Sequence, residues 1–147
     1  MIKDIVDNLE YEDGELSIEC PFPTLGDDVH IVFDANDQGA CSGSQLKQFT
    51  WLYENIASIY PEIEKVLFEY YIKSSPSYRE GLGELADELM PELSSSAQVW
   101  NQITEPGIWV MSDDDGTDIH LEYECTFDVE KGVRVVLNNE RIKRVGH

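Results

Sequence analysis

The sequence predicts an α+β fold in one domain spanning residues 1–147: an antiparallel sheet of about six strands packed on a long kinked helix and a shorter helix. Apolar and polar residues alternate, as in strands, in the first third of the chain and again near its end, whereas helical periodicity occupies the middle. Strands placed before and after a helical block are typical of α+β folds rather than of a wound parallel sheet. The composition, with 41% hydrophobic and 10% aromatic residues, can supply one buried core.

The N-terminal third predicts a hairpin and a third strand. Apolar and polar residues alternate over 9–12 and 16–20, on either side of Asp13-Gly14, a dipeptide typical of tight hairpin turns. Pro21 and Pro23 interrupt the ladder, because proline has no N–H to donate. The segment 29–33 supplies the third strand.

A long helix is predicted from Gln45 to Tyr71. Ser42 and Gln45 match a capping box, with Ser44 as the alternative N-cap. Apolar residues then recur every three or four positions along one helix face: Leu46, Phe49, Tyr53, Ile56, Tyr60, Ile63, Leu67 and Tyr70. Further apolar residues widen this stripe, which favours a helix packed on the sheet over a coiled coil. Pro61 lies inside the stripe, so we expect a kink or a short break there.

After this helix, the Ser, Pro and Gly content of 73–83 predicts a loop. The apolar spacing of 82–90 predicts a short amphipathic helix that Pro91 ends. The opposite face of that helix is acidic: Glu84, Asp87, Glu88 and Glu92. A further turn of helix is expected near 96–103, ended by Glu105-Pro106-Gly107.

The C-terminal part predicts a β-meander. A strand at 108–111 leads into an acidic turn that contains Asp113, Asp114, Asp115 and Asp118. The segment 119–127 alternates strictly, which predicts a strand with one buried face and one wet, acidic face. Strands at 133–137 and 141–145 follow. The alternative arrangement is two small sheets that share the long helix.

Charge is the strongest indication of the kind of partner. Thirty acidic and ten basic residues give a net charge of −20, and five of the ten cations lie in the last 17 residues. A field of this sign repels nucleic acid and anionic membranes and attracts basic partners, so we expect a basic protein partner, no nucleic acid and no membrane. The alternative is that the acidity serves solubility alone.

The start of the chain and its cysteines indicate the compartment. The start lacks the features of a secretory signal, and no segment reaches the roughly 18 apolar residues of a membrane span. Cys20, Cys41 and Cys125 are odd in number and form no C-x-x-C pair, so neither a zinc site nor a disulfide framework is predicted. These observations predict a cytoplasmic protein.

Enzymatic motifs are absent from the sequence. It has no nucleophile elbow, P-loop, dinucleotide fingerprint or zinc-protease helix, and no cofactor is expected. The run 113–118 does not match the register of a calcium loop. When Gly116 is placed at the position where the loop needs glycine, the first position of the loop holds no carboxylate. A solvated hairpin turn explains it better. His30 and His120 lie on predicted strands, and His147 is the terminal residue, where mobility is expected.

The segment CTFDVEKG at 125–132, followed by Asn138-Asn139 and Val145-Gly146, resembles the end of a bacterial domain family of unknown function. That family has Cys-x-Trp-Asp-x-Glu-His-Gly at this place. Phe127 replaces the Trp and Lys131 replaces the His, so no catalytic or metal role is carried over. The turn also has a structural interpretation, in which Asp128 and Glu130 accept backbone N–H bonds.

Some members of such families are immunity proteins beside polymorphic toxins. The resemblance and the charge together predict a non-enzymatic binding protein, an immunity-type inhibitor of a basic toxin. The expected contact residues are the acidic helix face and the acidic turn: Glu84, Asp87, Glu88, Glu92, Asp113, Asp114, Asp115 and Asp118. The alternative from another class is a small metal-dependent enzyme built on carboxylates.

Overall fold

One sheet of seven strands organises the molecule. The structure, a computed structural model, describes residues 2–146, with the backbone alone for Glu105; His147 therefore lies outside the described residues. The strands are β1 (Glu10–Glu12), β2 (Glu15–Phe22), β3 (Gly26–Asp34), β4 (Ile103–Val110), β5 (Ile119–Cys125), β6 (Val133–Asn138) and β7 (Arg141–Gly146). The helices are α1 (Ile2–Asp7), α2 (Gly43–Leu82) and α3 (Ala86–Leu89), with 3₁₀ turns at Gly83–Leu85, Ser96–Asn101 and Asp113–Asp115.

The strands lie in the sheet in their order along the chain. The predicted N-terminal hairpin and C-terminal meander are both confirmed, and every neighbouring pair except one is antiparallel. The exception is β3 with β4, which pair in parallel, with Ile31 opposite Ile108. The long crossover through α2 returns the chain in the same direction, as parallel pairing requires. The predicted α+β fold with its antiparallel sheet is therefore confirmed, with seven strands and one parallel pair as the differences in detail, and the two-sheet alternative is wrong.

Helix α2 begins as predicted but ends later. The Ser42 side chain accepts a hydrogen bond from the Gln45 N–H, and the Gln45 side chain accepts one from the Ser42 N–H. The helix then continues without a break through Pro61 and Pro76 to Leu82. The predicted loop at 73–83 is thus wrong for most of its length. Tertiary contacts along this segment outweigh its weak helix propensity.

The core lies between α2 and the sheet. The helix buries one face: Phe49, Leu52, Ile56, Ile63, Leu67 and Tyr71. They belong to a single hydrophobic cluster with inward residues of β2 to β6. Tyr53, Tyr60 and Tyr70 flank this face and are half-buried, so the predicted stripe is confirmed, with its centre shifted toward Leu52 and Tyr71.

Several boundaries differ from prediction. β4 already begins at Ile103 and runs through 105–107, where a helix end was expected, with a register shift between Thr104 and Gly107. β2 continues past Pro21 to Phe22 with a similar shift. Such bulges let an edge or interrupted strand keep its pairing on either side. Helix α1 was not predicted.

Candidate functional site

The eight predicted contact residues form two groups at opposite ends of α2. We call Asp113, Asp114, Asp115 and Asp118 the N-end acids, because the N-cap residue Ser42 donates a 2.7 Å hydrogen bond from its hydroxyl to Asp113. We call Glu84, Asp87, Glu88 and Glu92 the C-end acids, because Arg79 in the last turn of α2 pairs with Asp87. The 40 residues of α2 separate the two ends by about 60 Å, at about 1.5 Å per residue. The structure does not bring the two groups together on one surface.

Three of the four N-end acids, Asp113, Asp115 and Asp118, take part in the fold. Asp118 is only 8% exposed; its carboxylate accepts a hydrogen bond from the Asn138 side-chain amide and lies 3.3 Å from the Lys143 ammonium. The Thr117 hydroxyl donates to Asp113, and the Ser112 hydroxyl donates to Asp115. These bonds fasten the β4–β5 connection to the N-terminus of α2 and to β6 and β7.

The backbone of this connection is that of a hairpin turn, as predicted. Gly116 has a φ of 76°, in the left-handed region that glycine adopts without a side-chain clash. Met111 and Asp118 close the turn with a 2.8 Å backbone hydrogen bond. Within residues 2–146, no group of three or more His, Cys, Asp or Glu side chains is arranged to hold a metal ion.

All four C-end acids are exposed, and so are Asp113, Asp114 and Asp115 at the other end, so the difference between the two groups lies in their partners. The Arg79 guanidinium donates hydrogen bonds to the carbonyl oxygens of Ala86 and Met90 and pairs with Asp87. It thereby holds α3 against the end of α2. The other three C-end acids lie close to this junction in sequence, so the local charge is negative.

Exposed apolar side chains accompany the C-end acids. Among the described residues, the large exposed hydrophobic side chains are Tyr11, Ile72, Leu85 and Val129. Ile72 is 49% exposed and lines a groove of 720 Å³ whose other walls include Pro76, Ala86 and Leu93. Leu85 is 52% exposed on the 3₁₀ turn that connects α2 to α3. We call this groove, with Ile72, Leu85 and the C-end acids, the C-end surface.

Sequence reasoning missed Ile72 and Leu85. The periodicity of 82–90 assigned Leu85 to the apolar, inward face of the short helix. The structure buries Ala86 and Met90 instead and leaves Leu85 in solvent, because Gly83–Leu85 is a 3₁₀ turn with a different angular step. Apolar spacing alone does not say which apolar side chains remain uncovered.

The segment 125–132, which carries the resemblance to the domain family, forms a hydrogen-bonded turn next to the C-end surface. The Asp128 carboxylate accepts a 2.7 Å bond from the Tyr78 hydroxyl of α2 and a 3.2 Å bond from the Lys131 N–H. The Cys125 thiol and the Gly132 N–H both donate to the Asp128 carbonyl oxygen. Gly132 has a φ of 64°, and a Cβ there would lie 2.2 Å from the Tyr123 carbonyl oxygen. The structural interpretation of Asp128 is thus favoured, and Glu130 is exposed.

The packing around this turn is equally structural. Phe127 is buried and makes edge-to-face contacts with Tyr71 and Tyr78 of α2. The Thr126 hydroxyl lies 2.6 Å from both the Leu89 carbonyl oxygen and the Gln102 side-chain oxygen. Burial raises the pKa of the Cys125 thiol to about 11, so the thiol is protonated at neutral pH. Together these contacts hold the end of α2 and α3 against the sheet; we call them the turn contacts.

The face of the sheet opposite α2 holds the two described histidines. His30 is exposed and makes an edge contact with Trp109. His120 is 8% exposed, so the face of β5 that was predicted to be solvent-exposed is buried at this residue. The cross-strand neighbours Trp109 and Val136 flank it on both sides. Burial is the main cause that lowers the pKa of His120, and the nearby Arg134 lowers it further.

Comparison with known proteins identifies the family. No curated protein and no solved structure matches this chain. A family described as a domain of unknown function does match, over residues 5–147. The expectation of a domain family of unknown function is thereby confirmed. The chain belongs to the family "Domain of unknown function (DUF6985)".

Proposed function

We propose that this protein is a non-enzymatic acidic binding protein that inhibits a basic toxin, as immunity proteins do, and that its C-end surface makes the contact. The observation that carries the proposal is the half-exposed Ile72 in a groove that Glu80 and Glu92 also line, with the half-exposed Leu85 on the turn between two further lining residues, Gly83 and Ala86. A patch of this kind has the composition of an interface: apolar anchors at the centre and polar residues around them.

The charge supports a basic partner. The whole chain has a net charge of −20, and toxins that cleave nucleic acid are basic because they bind phosphate. An acidic inhibitor meets such a toxin quickly, since its field accelerates the encounter. The N-end acids contribute to this field at long range, whereas the C-end acids would form direct ion pairs.

The compartment belongs to the same proposal. No helix within residues 2–146 has the length and apolarity to cross a membrane. We propose that the protein meets its partner in the cytoplasm, where a toxin that attacks the producing cell has to be neutralised.

The direct test is complex formation with the product of a toxin-like neighbouring gene. Leu85→Ser should weaken binding at least tenfold, because apolar anchors at the centre of an interface commonly contribute more than about 1.4 kcal/mol. Tyr11→Ser is the matched control, since Tyr11 on β1 is exposed to a similar extent, 58%. Equal binding by both variants would contradict the assignment of the C-end surface. Failure of the wild-type chain to bind any basic protein would contradict the function itself.

Salt provides a second test. The association rate should fall between about 20 mM and 0.5 M NaCl, because the Debye length shortens over this range. The melting temperature of the free protein should rise, because salt screens the repulsion among its carboxylates. A melting temperature that rises beside an unchanged association rate would mean that the acidity serves solubility alone.

A further inference from the structure

One face of the sheet points away from α2, and we call the side that carries Val32, Trp109 and Val136 the open face. Val32 and Val136 are 2% and 0% exposed, yet neither belongs to the hydrophobic cluster beneath α2. Trp109 lies between them in the same cross-strand row and is half-buried. Its ring packs on Gly107, since a Cβ added there would lie 2.9 Å from a ring atom. The open face therefore has an apolar centre.

The helices lie on the other side of the sheet. Ile5 of α1 and the apolar face of α2 belong to the cluster beneath α2, and Arg79 holds α3 against the end of α2. In the part of the chain that the structure describes, each of the three helices thus packs away from the open face.

Charge on the open face is divided between its two edges. At one edge, β1 and β2 contain no Lys or Arg and place four exposed carboxylates on this face: Glu10, Glu12, Glu15 and Glu19. At the other edge, β6 and β7 contain no Asp or Glu and hold four cations: Arg134, Arg141, Lys143 and Arg144. Arg134 and Lys143 pair with Glu122 and Asp118 of the same copy, whereas Arg141 is exposed at the start of β7.

Strand pairing places like charges opposite each other at the acidic edge. Glu12 of β1 lies directly opposite Glu15 of β2, and Glu15 lies opposite Asp34 of β3. Like charges in directly opposite positions destabilise a sheet. A positive surface placed over this row would replace repulsion by attraction.

The central position of β4 among the seven strands indicates which surface fits. A second copy can stack on the open face as the two sheets of a sandwich do, about 10 Å apart. If a two-fold axis runs parallel to β4 between the copies, β1 lies over β7, β2 lies over β6, and the two Trp109 rings meet at the centre. The acidic edge of each copy then meets the basic edge of the other. Glu12 comes near Arg141, and Glu19 comes near Arg134, because these residues occupy matching cross-strand rows.

We propose that the open face binds a second copy of this chain and forms a two-fold symmetric dimer with Trp109 at its centre. Seven strands about 4.8 Å apart and about 20 Å long give roughly 600 Å² per copy. The pair would bury about 1,200 Å², which is the lower end of specific interfaces. The dimer is independent of the proposed inhibitor function, since the C-end surface is built from α2 and α3 on the other side of the sheet.

The net charge of −20 opposes any self-association, so the salt concentration of the test matters. At about 0.15 M salt the Debye length is about 8 Å, which screens the field of the whole chain more than ion pairs about 4 Å apart. Sedimentation equilibrium of the full chain under this condition should show a reversible monomer–dimer equilibrium. A monomer at every concentration, or an assembly larger than a dimer, would overturn the proposal.

Two charge reversals test the arrangement of the copies. Glu12→Arg should weaken the dimer at least about tenfold although it lowers the net negative charge, because the symmetry places a cation opposite Arg141 twice. Arg141→Glu should weaken it to a similar extent. An equimolar mixture of the two variants should form a heterodimer about as tight as the wild-type dimer, since every such contact again joins opposite charges. The double variant in one chain should restore the homodimer for the same reason.

Glu62→Arg is the matched control, because it makes the same change in net charge at an exposed residue of α2. It should not weaken the dimer. Equal weakening by Glu62→Arg and Glu12→Arg, or a failure of both the mixture and the double variant to associate, would show that the open face does not bind a second copy in this way.

Discussion

The two ends of α2 are both acidic, yet three of the four carboxylates at the N-terminal end bond to other parts of the fold, whereas at the C-terminal end Asp87 is the one that pairs with Arg79. At the N-terminal end, Asp113 bonds to the N-cap side chain of α2, and Asp118 bonds to side chains of β6 and β7. At the C-terminal end, Glu84 and Glu88 project into solvent beside Leu85. Charge in a sequence therefore has two distinct uses here. Carboxylates that accept internal hydrogen bonds stabilise turns, whereas exposed carboxylates around apolar side chains define a contact surface.

The variant with the largest expected effect is Gly132→Ala, which should break the turn contacts that support the C-terminal end of α2. An added Cβ would overlap the Tyr123 carbonyl oxygen, and the positive φ adds strain. We expect a loss of more than about 3 kcal/mol in the free energy of unfolding, measured with urea. Gly81→Ala is the control: no atom lies within 4 Å of the added Cβ, and the helix should gain up to about 1 kcal/mol. A mild effect at Gly132 would contradict the structural role of the turn.

A second test compares one carboxylate from each end of α2. Asp118→Ala removes the acceptor for Asn138 and Lys143 and should cost about 1–3 kcal/mol of unfolding free energy without weakening the partner complex. Glu88→Ala should leave stability within about 0.5 kcal/mol, since Glu88 is exposed. Its association rate with a basic partner should fall instead. If both variants affect the same quantity, the distinction between the two ends is wrong.

Tyr78→Phe tests how much the Tyr78 hydroxyl contributes to the stability of the C-terminal end of α2. The variant keeps the ring contact with Phe127 but removes the hydroxyl that donates to Asp128. We expect a loss of about 1 kcal/mol, the usual contribution of one such hydrogen bond. Thermal unfolding at neutral pH measures it, and Tyr11→Phe, at an exposed residue, supplies the control. An unchanged melting temperature for Tyr78→Phe would show that ring packing alone holds the end.

The smallest expected effect is a pH dependence at His120, close to the N-end acids. Asp118 and Glu122 favour its protonated form, whereas Arg134, Arg144 and above all burial oppose it, so the pKa lies below the usual 6.5. As pH falls through about 6.5, the unfolded chain binds a proton first, and the free energy of unfolding falls. The difference in stability between wild type and His120→Gln should therefore shrink from pH 8 toward lower pH. A constant difference would show that His120 titrates alike in both states.

Local chemistry made much of this fold predictable. Asp13-Gly14 sits in the hairpin turn, Ser42 and Gln45 form the capping box, and β5 buries its alternate residues Leu121 and Tyr123. Each of these features depends on residues close together in sequence. Local propensity and period are sufficient to predict such features.

What could not be predicted depends on distant residues. Helix α2 continues beyond Lys73 because Tyr78 packs on Phe127 and bonds to Asp128, about 50 positions away. The parallel pairing of β3 and β4 depends on where α2 ends. The C-end acids were identified from sequence, but Ile72 and Leu85 were not. Their exposure depends on whether another part of the fold packs over them, and the sequence pattern does not indicate that.

The parallel pair β3–β4 has a consequence for how the molecule assembles. On either side of it, every strand joins its neighbour through a nearby turn, so β1–β3 and β4–β7 can each form from local contacts. The pair itself closes a loop of about 70 residues, and this closure costs about 2.5 kcal/mol more free energy than closing a hairpin turn of about four residues. We expect the two halves of the sheet to form first and to join only when α2 has bridged them. Until then, β3 and β4 each present an unpaired strand, so the newly made chain is most prone to aggregation in that interval.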